Sequence, residues 1–273
     1  MQTEDDILVV GPRQKTEIQI AKILNRRMYE GKNLIITDSR KGKMKKMTAD
    51  TANTCGYRVA VLGAPDGYRT DVLRTTTAEE RKMVINMLPF YLLGNFFMGE
   101  LETEIKASLY EWMRVTTAYA IGRNMTLDRL YRFAKENPEE LAKVIKKTSS
   151  MIKRVPEWRA LDDIMEVTDI IKQRLSGTEI QYLSSQQNKF SELFSKKTVV
   201  YLQIEEENWI LPFLTERLIQ LAEKIGDGYT VVMNETSMVK RAGHGNTIVQ
   251  FGTDDVPAVQ EIQKSCGKVY VCV

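Results

Sequence analysis

Residues 75–195 hold hardly a strand-like window, while the chain on either side alternates short apolar runs with helical patterns. This division constrains the fold more than any other feature. On the N-terminal side, DILVV (6–10), NLIITD (33–38) and YRVAVLG (57–63) read as short buried strands, because each is an apolar run bounded by turn residues. Between the first two lies a helical repeat, with Ile18, Ile20, Ala21, Ile23, Leu24 and Met28 on one stripe and Gly31 as its stop. KMKKMTADTANTCG reads as the next helix, closed by Gly56. Strand–helix–strand with short joints demands a parallel sheet with crossover helices.

The middle stretch reads as a series of helices. Thr77 with Glu80 three positions on is a capping box, and Thr126 is a second cap. Leu101, Ile105, Leu109, Met113 and Ala120 mark one stripe of a long helix over 99–122. ALDDIMEVTDIIKQRLSG and TEIQYLSSQQNKFSELF are expected to be further helices. The apolar run 83–99 is interrupted by Pro89, Gly94 and two asparagines, which suggests a buried helix pair or a partner-facing surface. After it, KTVVYLQI (197–204), YTVVMNE (229–235), NTIVQFG (246–252) and KVYVCV return as strands, with helices at 209–226 and 255–267. The simplest architecture is α/β: one sheet assembled from residues 1–74 and 196–273, with an all-helical domain, 75–195, inserted between them.

The totals exclude several classes. Cys55, Cys266 and Cys272 with a single histidine provide neither a disulfide framework nor a metal site, and point to a reduced compartment. The acidic, polar stretch Gln2–Asp6 is no signal peptide. No apolar run approaches the ~20 residues of a membrane span. The net charge is only +3, but residues 1–74 carry 14 Lys/Arg against 9 Asp/Glu. That excess is concentrated in SRKGKMKKM, where Arg40, Lys41, Lys43, Lys45 and Lys46 form either a solvated helix face or a contact for nucleic-acid phosphates.

The chemistry, if any, sits where VVGPRQKT follows the first strand. A phosphate-binding loop reads G-x-x-x-x-G-K-[ST]. Its glycines let backbone N–H groups wrap the phosphates, its Lys meets the outer ones, and its hydroxyl holds Mg²⁺. Gly11, Lys15 and Thr16 have the right types, but Gly11 precedes Lys15 by four positions instead of six, and Gln14 stands in place of the second glycine. The partner element is an apolar strand ending in Asp-Glu, which orders Mg²⁺ and the attacking water. Here VVMNE keeps Glu235 as a catalytic candidate and replaces the Asp by Asn234, a neutral amide. His244 in a glycine-rich joint and the acidic run Glu205–Glu207 read as turn and solvated loop. Trp112, Trp158, Trp209, Tyr110 and Phe133 read as packing residues.

In this order the segments resemble the TraG-like coupling proteins of type IV secretion, the P-loop ATPases of conjugative DNA transfer. VVGPRQKT is similar to that family's VVGPTGSGKT. ITDSRKGKM, with Thr37, Asp38, Lys41 and Gly42, is similar to its TDPKGE. KKTVVYLQI and VVMNE are similar to its later strands, and FGTDDVPAVQEIQKSCGKVYV to its late segment. The resemblance implies a RecA-like, P-loop NTPase-type core and a ring-forming homo-oligomer. As partners it implies other secretion components or a coupling-protein ATPase, and DNA. The family's membrane helices have no counterpart, so the chain is expected to be cytoplasmic, recruited to the inner face of the membrane. The short loop, Asn234, and the brief span between VVMNE and the late segment imply a degenerate ATPase, with Gly11, Lys15, Thr16 and Asn234 vestigial. No cofactor is expected, ATP and Mg²⁺ entering only where the shortened loop still binds them. Three functions follow: a binding module without turnover, an active ATPase, or a nucleic-acid-binding module.

Overall fold

The computed structural model describes residues 7–10, 13–38, 42–94, 103–149, 160–205, 208–225, 229–233, 246–251 and 268–271. The chain divides into two compact units, one made of Met1–Tyr68 with Leu193–Val273, the other of Arg69–Glu192.

The first unit is built on seven strands: β1 (Ile7–Val10), β2 (Asn33–Thr37), β3 (Arg58–Leu62), β4 (Thr198–Leu202), β5 (Tyr229–Met233), β6 (Asn246–Phe251) and β7 (Lys268–Val271). Their order across the sheet is β3-β4-β2-β5-β6-β1-β7, and every pairing is parallel. Strands consecutive in sequence are not neighbours in the N-terminal part. β4 separates β3 from β2, while β5 and β6 separate β2 from β1. No two strands of residues 1–68 pair with each other, so the sheet is an interleaving of both chain ends. β3 and β4 are adjacent, with Arg58 opposite Thr198, and the whole second unit lies within the crossover that joins them.

Helix α1 (Arg13–Tyr29) follows β1, and α2 (Lys43–Thr54) follows β2. Their apolar stripes pack with one face of the sheet: Ile20, Leu24 and Met28 of α1 and Met44 and Ala52 of α2 share a core with Val9, Leu34, Ile36, Tyr201 and Val232. The alternate residues Ile35, Val200 and Val231 are buried as well, as a parallel sheet covered on both faces requires. Helix α9 (Ile210–Ile225) packs against β2 and β5. The fold is therefore α/β and RecA-like, a parallel P-loop-type sheet with a helical insert. The expected helix over 255–267 lies outside the described residues.

The second unit contains α3 (Ala78–Leu93), α4 (Thr103–Gly122), α5 (Leu127–Glu136), α6 (Pro138–Ser149), α7 (Ala160–Arg174) and the single turn α8 (Glu179–Tyr182). Thr77 caps α3 by accepting from the Glu80 N–H, and Thr126 caps α5 by accepting from the Arg129 N–H. The Glu80 carboxylate returns to the N–H and hydroxyl of Thr76. Pro89 does not interrupt α3, which runs on to a C-terminal cap at Gly94. Leu109, Met113 and Ala120 are buried on α4 as their stripe requires. The helix expected over 178–194 is not continuous. After α8 the chain makes isolated bridges from Ser184 to Asp71 and from Asn188 to Thr70, then a 3₁₀ turn at Phe190–Glu192. The cause is tertiary: the Ser184 hydroxyl accepts the Asp128 N–H, and the Asn188 amide donates to the Arg69 carbonyl. Side chains of this kind compete with the helix for backbone partners.

Candidate functional site

All strands run in one direction, so their carboxyl ends share one edge, where open α/β sheets place their ligands. The turns after β1 and β2 lie on this edge. β1 ends at Val10 and α1 begins at Arg13, which leaves Gly11 and Pro12 to make the whole connection. Arg13 and Gln14, the residues directly before Lys15, are already helical. Lys15 is exposed in the first turn, whereas Thr16 is fully buried. No acidic residue stands in that first turn. Gly11 lies outside the described residues, as do Asn234 and Glu235, whose sequence position is directly after Met233 at the end of β5. β6 stands between β5 and β1, which sets those two strands about 10 Å apart.

Glu17 is the residue that sequence reasoning missed. It is 5% exposed and forms an ion pair with Lys43 at the start of α2. The signal was present, since Glu17 falls three and seven positions before Ile20 and Leu24 and so lies on the buried stripe. A charge on that stripe requires a cation partner.

The turn after β2 is closed by its own side chains. The Asp38 N–H donates to the Leu202 carbonyl at 2.8 Å, and the Thr37 hydroxyl to the Val232 carbonyl at 3.0 Å. The Asp38 carboxylate, 2% exposed, accepts from the N–H groups of Met44 (3.1 Å) and Lys45 (3.0 Å). It thereby fills the N-terminus of α2, where the helix dipole and unpaired N–H groups favour an anion. Burial pushes the Asp38 carboxyl above its ordinary value; the N–H groups of Lys45, Met44 and Lys43 pull it down, and the nearby Glu17 charge pushes it up again. Below it, the Thr48 hydroxyl shares a 2.6 Å hydrogen bond with the Tyr201 phenol, which burial raises to about 12. Gly42 is left-handed, with φ of 74°, and an added Cβ would lie 2.4 Å from the Gln203 amide nitrogen. Two of the family-motif residues, Asp38 and Gly42, thus build the turn itself. Lys41 and Arg40 lie outside the described residues.

Of the basic run, Lys43 is engaged by Glu17, Lys45 is half-buried and Lys46 is exposed. Among the described residues no group of three or more His, Cys, Asp or Glu is placed to hold a metal ion. Glu205 is exposed, while Glu206, Glu207, His244 and Trp158 lie outside the described residues. Trp112 and Trp209 are buried packing residues. No helix among the described residues is long and apolar enough to cross a membrane.

No protein-family model and no curated protein matches the chain. Solved structures do match. The plasmid coupling protein TrwB in complex with a non-hydrolysable ATP analogue aligns with a TM-score of 0.63 at 11% identity, over 95% of this chain and 68% of TrwB. TrwB in complex with ADP and Mg²⁺ aligns with a TM-score of 0.58 at 10% identity, over the same shares. VirB4 of Thermoanaerobacter pseudethanolicus aligns with a TM-score of 0.54 at 13% identity, over 95% of this chain and 73% of VirB4. The resemblance to coupling proteins therefore holds at the level of the fold, and this chain spans about two-thirds of the length of TrwB.

Proposed function

We propose that this chain is a coupling-protein-like module of a type IV secretion system that acts by binding protein partners and does not hydrolyse ATP. The observation that carries the reading is the start of α1 at Arg13. A phosphate loop needs a run of non-helical residues whose N–H groups converge on the phosphates. Here two residues separate strand from helix, and Arg13 and Gln14, directly before Lys15, are already helical where the motif requires loop. The Asn234 amide in place of a metal-ordering carboxylate supports the same reading. So does Asp38, which supplies the β2 edge with its own anion. The likeness to TrwB supports a role beside secretion ATPases, at the inner face of the membrane or within a mixed assembly.

The test is calorimetric titration of ATP with Mg²⁺ into the full chain, paired with an ATPase assay. The expected result is no binding heat and no turnover. Saturable heat or turnover that disappears in Lys15→Ala would overturn the proposal in favour of an active ATPase.

A further inference from the structure

The helical unit carries a polar recess that the nucleotide reading does not use. Two clefts, of ≈ 420 and ≈ 430 Å³, open around the start of α3 and share Arg81 in their walls. Each is of the size that holds a ligand, about 300–1,000 Å³. Arg74 joins Arg81 in the first cleft, and Lys82 joins it in the second. All three are exposed, and among the described residues none of their side chains makes a hydrogen bond or ion pair, whereas Arg26, Arg27, Lys43, Arg132, Lys172 and Lys189 are each tied to a carboxylate. Arg114 adds a third cation to the second cleft, held in place by Glu111. Among the described residues Asp71 is the one acidic lining residue of the two clefts; it is 4% exposed and accepts the Leu73 N–H.

The walls restrict what fits. No aromatic side chain lines either cleft, so there is no platform on which nucleic-acid bases would stack. The Asn124 and Gln186 amides both donate and accept, as peptide groups require, and Leu73, Ile121 and Met125 add apolar groups to the lining of the first cleft. Cations, amides and apolar groups in one recess are complementary to a polypeptide bearing carboxylates.

We propose that the recess centred on Arg81 docks an acidic segment of a protein partner. This rests on the reading of the chain as a binding module and names the chemistry of what it binds. The test uses the full chain, fluorescence anisotropy, and two labelled probes: deca-glutamate and a twelve-residue oligothymidylate. Deca-glutamate is expected to bind in a salt-dependent manner, and Arg81→Gln is expected to weaken it about tenfold, with Arg74→Gln less severe. Lys196→Gln, an exposed lysine of the other unit, is the control and should change nothing. Absence of peptide binding, or equal loss in the control and in Arg81→Gln, overturns the proposal. So does tighter binding of the oligothymidylate that depends on Arg81, which would make the recess a nucleic-acid site. Thermal melting of Arg81→Lys and Arg81→Gln separates lost charge from lost fold. Nucleotide binding with the Arg81-dependent peptide affinity intact would sink the ATP-independent reading and leave the recess standing.

Discussion

The two strand-to-helix turns on the carboxyl edge reach a helix N-terminus by opposite routes. After β1 the chain has two residues before α1 begins, and the first turn of α1 carries no acidic side chain. After β2 it has five, residues 38–42, and Asp38 supplies an anion of the chain's own, its carboxylate on the N–H groups of α2. The first turn is two residues shorter than the phosphate-binding loop G-x-x-x-x-G-K-[ST]. The second has Asp38 and Gly42, which serve the fold itself through the α2 N–H groups and a left-handed backbone. A motif residue of that kind is required for folding, whatever the neighbouring turn binds. The link between the turns is Glu17–Lys43, which joins the start of α1 to the start of α2.

Breaking the second turn should cost most. Asp38→Ala leaves buried N–H groups without an acceptor and is expected to destabilise by about 2–3 kcal/mol in urea unfolding. A change below ~0.5 kcal/mol would mean that the turn is not held by its carboxylate. Gly42→Ala should cost about 1–2 kcal/mol, the penalty of a left-handed backbone for a residue with a Cβ. Gln203→Ala in the same chain would relieve only the contact with the amide, so recovery should be partial. Lys43→Met tests the link between the turns: it removes a cation partner of Glu17, which is 6% exposed in its side chain, but Lys43 itself is 46% exposed and screened. About 1 kcal/mol is expected, by the same unfolding measurement.

The comparison also explains what a reader of the sequence could see. The strands were legible because buried parallel strands are continuous apolar runs, such as LIIT and VVYL. Their order was not, since nothing local in β1 or β2 records that β5 and β6 intervene. Thr77 and Thr126 were readable as caps because the capping contact spans three residues. The segment after Tyr182 was misread because helical spacing of Ile180, Leu183 and Phe190 persists there, while Ser184 and Asn188 spend their side chains on distant backbone. Asp38 was singled out by resemblance; its work as the acceptor for α2 depends on a chain reversal that the sequence does not display. Glu17 was hidden by its neighbours, since Lys15-Thr16 drew the reading toward a ligand.

The smallest effect concerns the charge on Asp38. Burial and the Glu17 carboxylate favour its protonated form, the three N–H groups favour the ionised one, and burial prevails, so its folded pKa lies above 3.8. The folded state therefore holds this proton more tightly than the unfolded chain does. The contribution to stability is complete below 3.8 and is lost as pH rises from there through the folded value. Asp38→Asn has no proton to lose at this position. The stability of the natural chain relative to Asp38→Asn should accordingly fall as pH rises from 3.8 through the folded value, by less than the Asp38→Ala cost, in paired thermal melts. The opposite trend, with the natural chain gaining on Asn as pH rises, would show that the helix N–H groups outweigh burial. The β2 turn would then be a site that favours an anion outright.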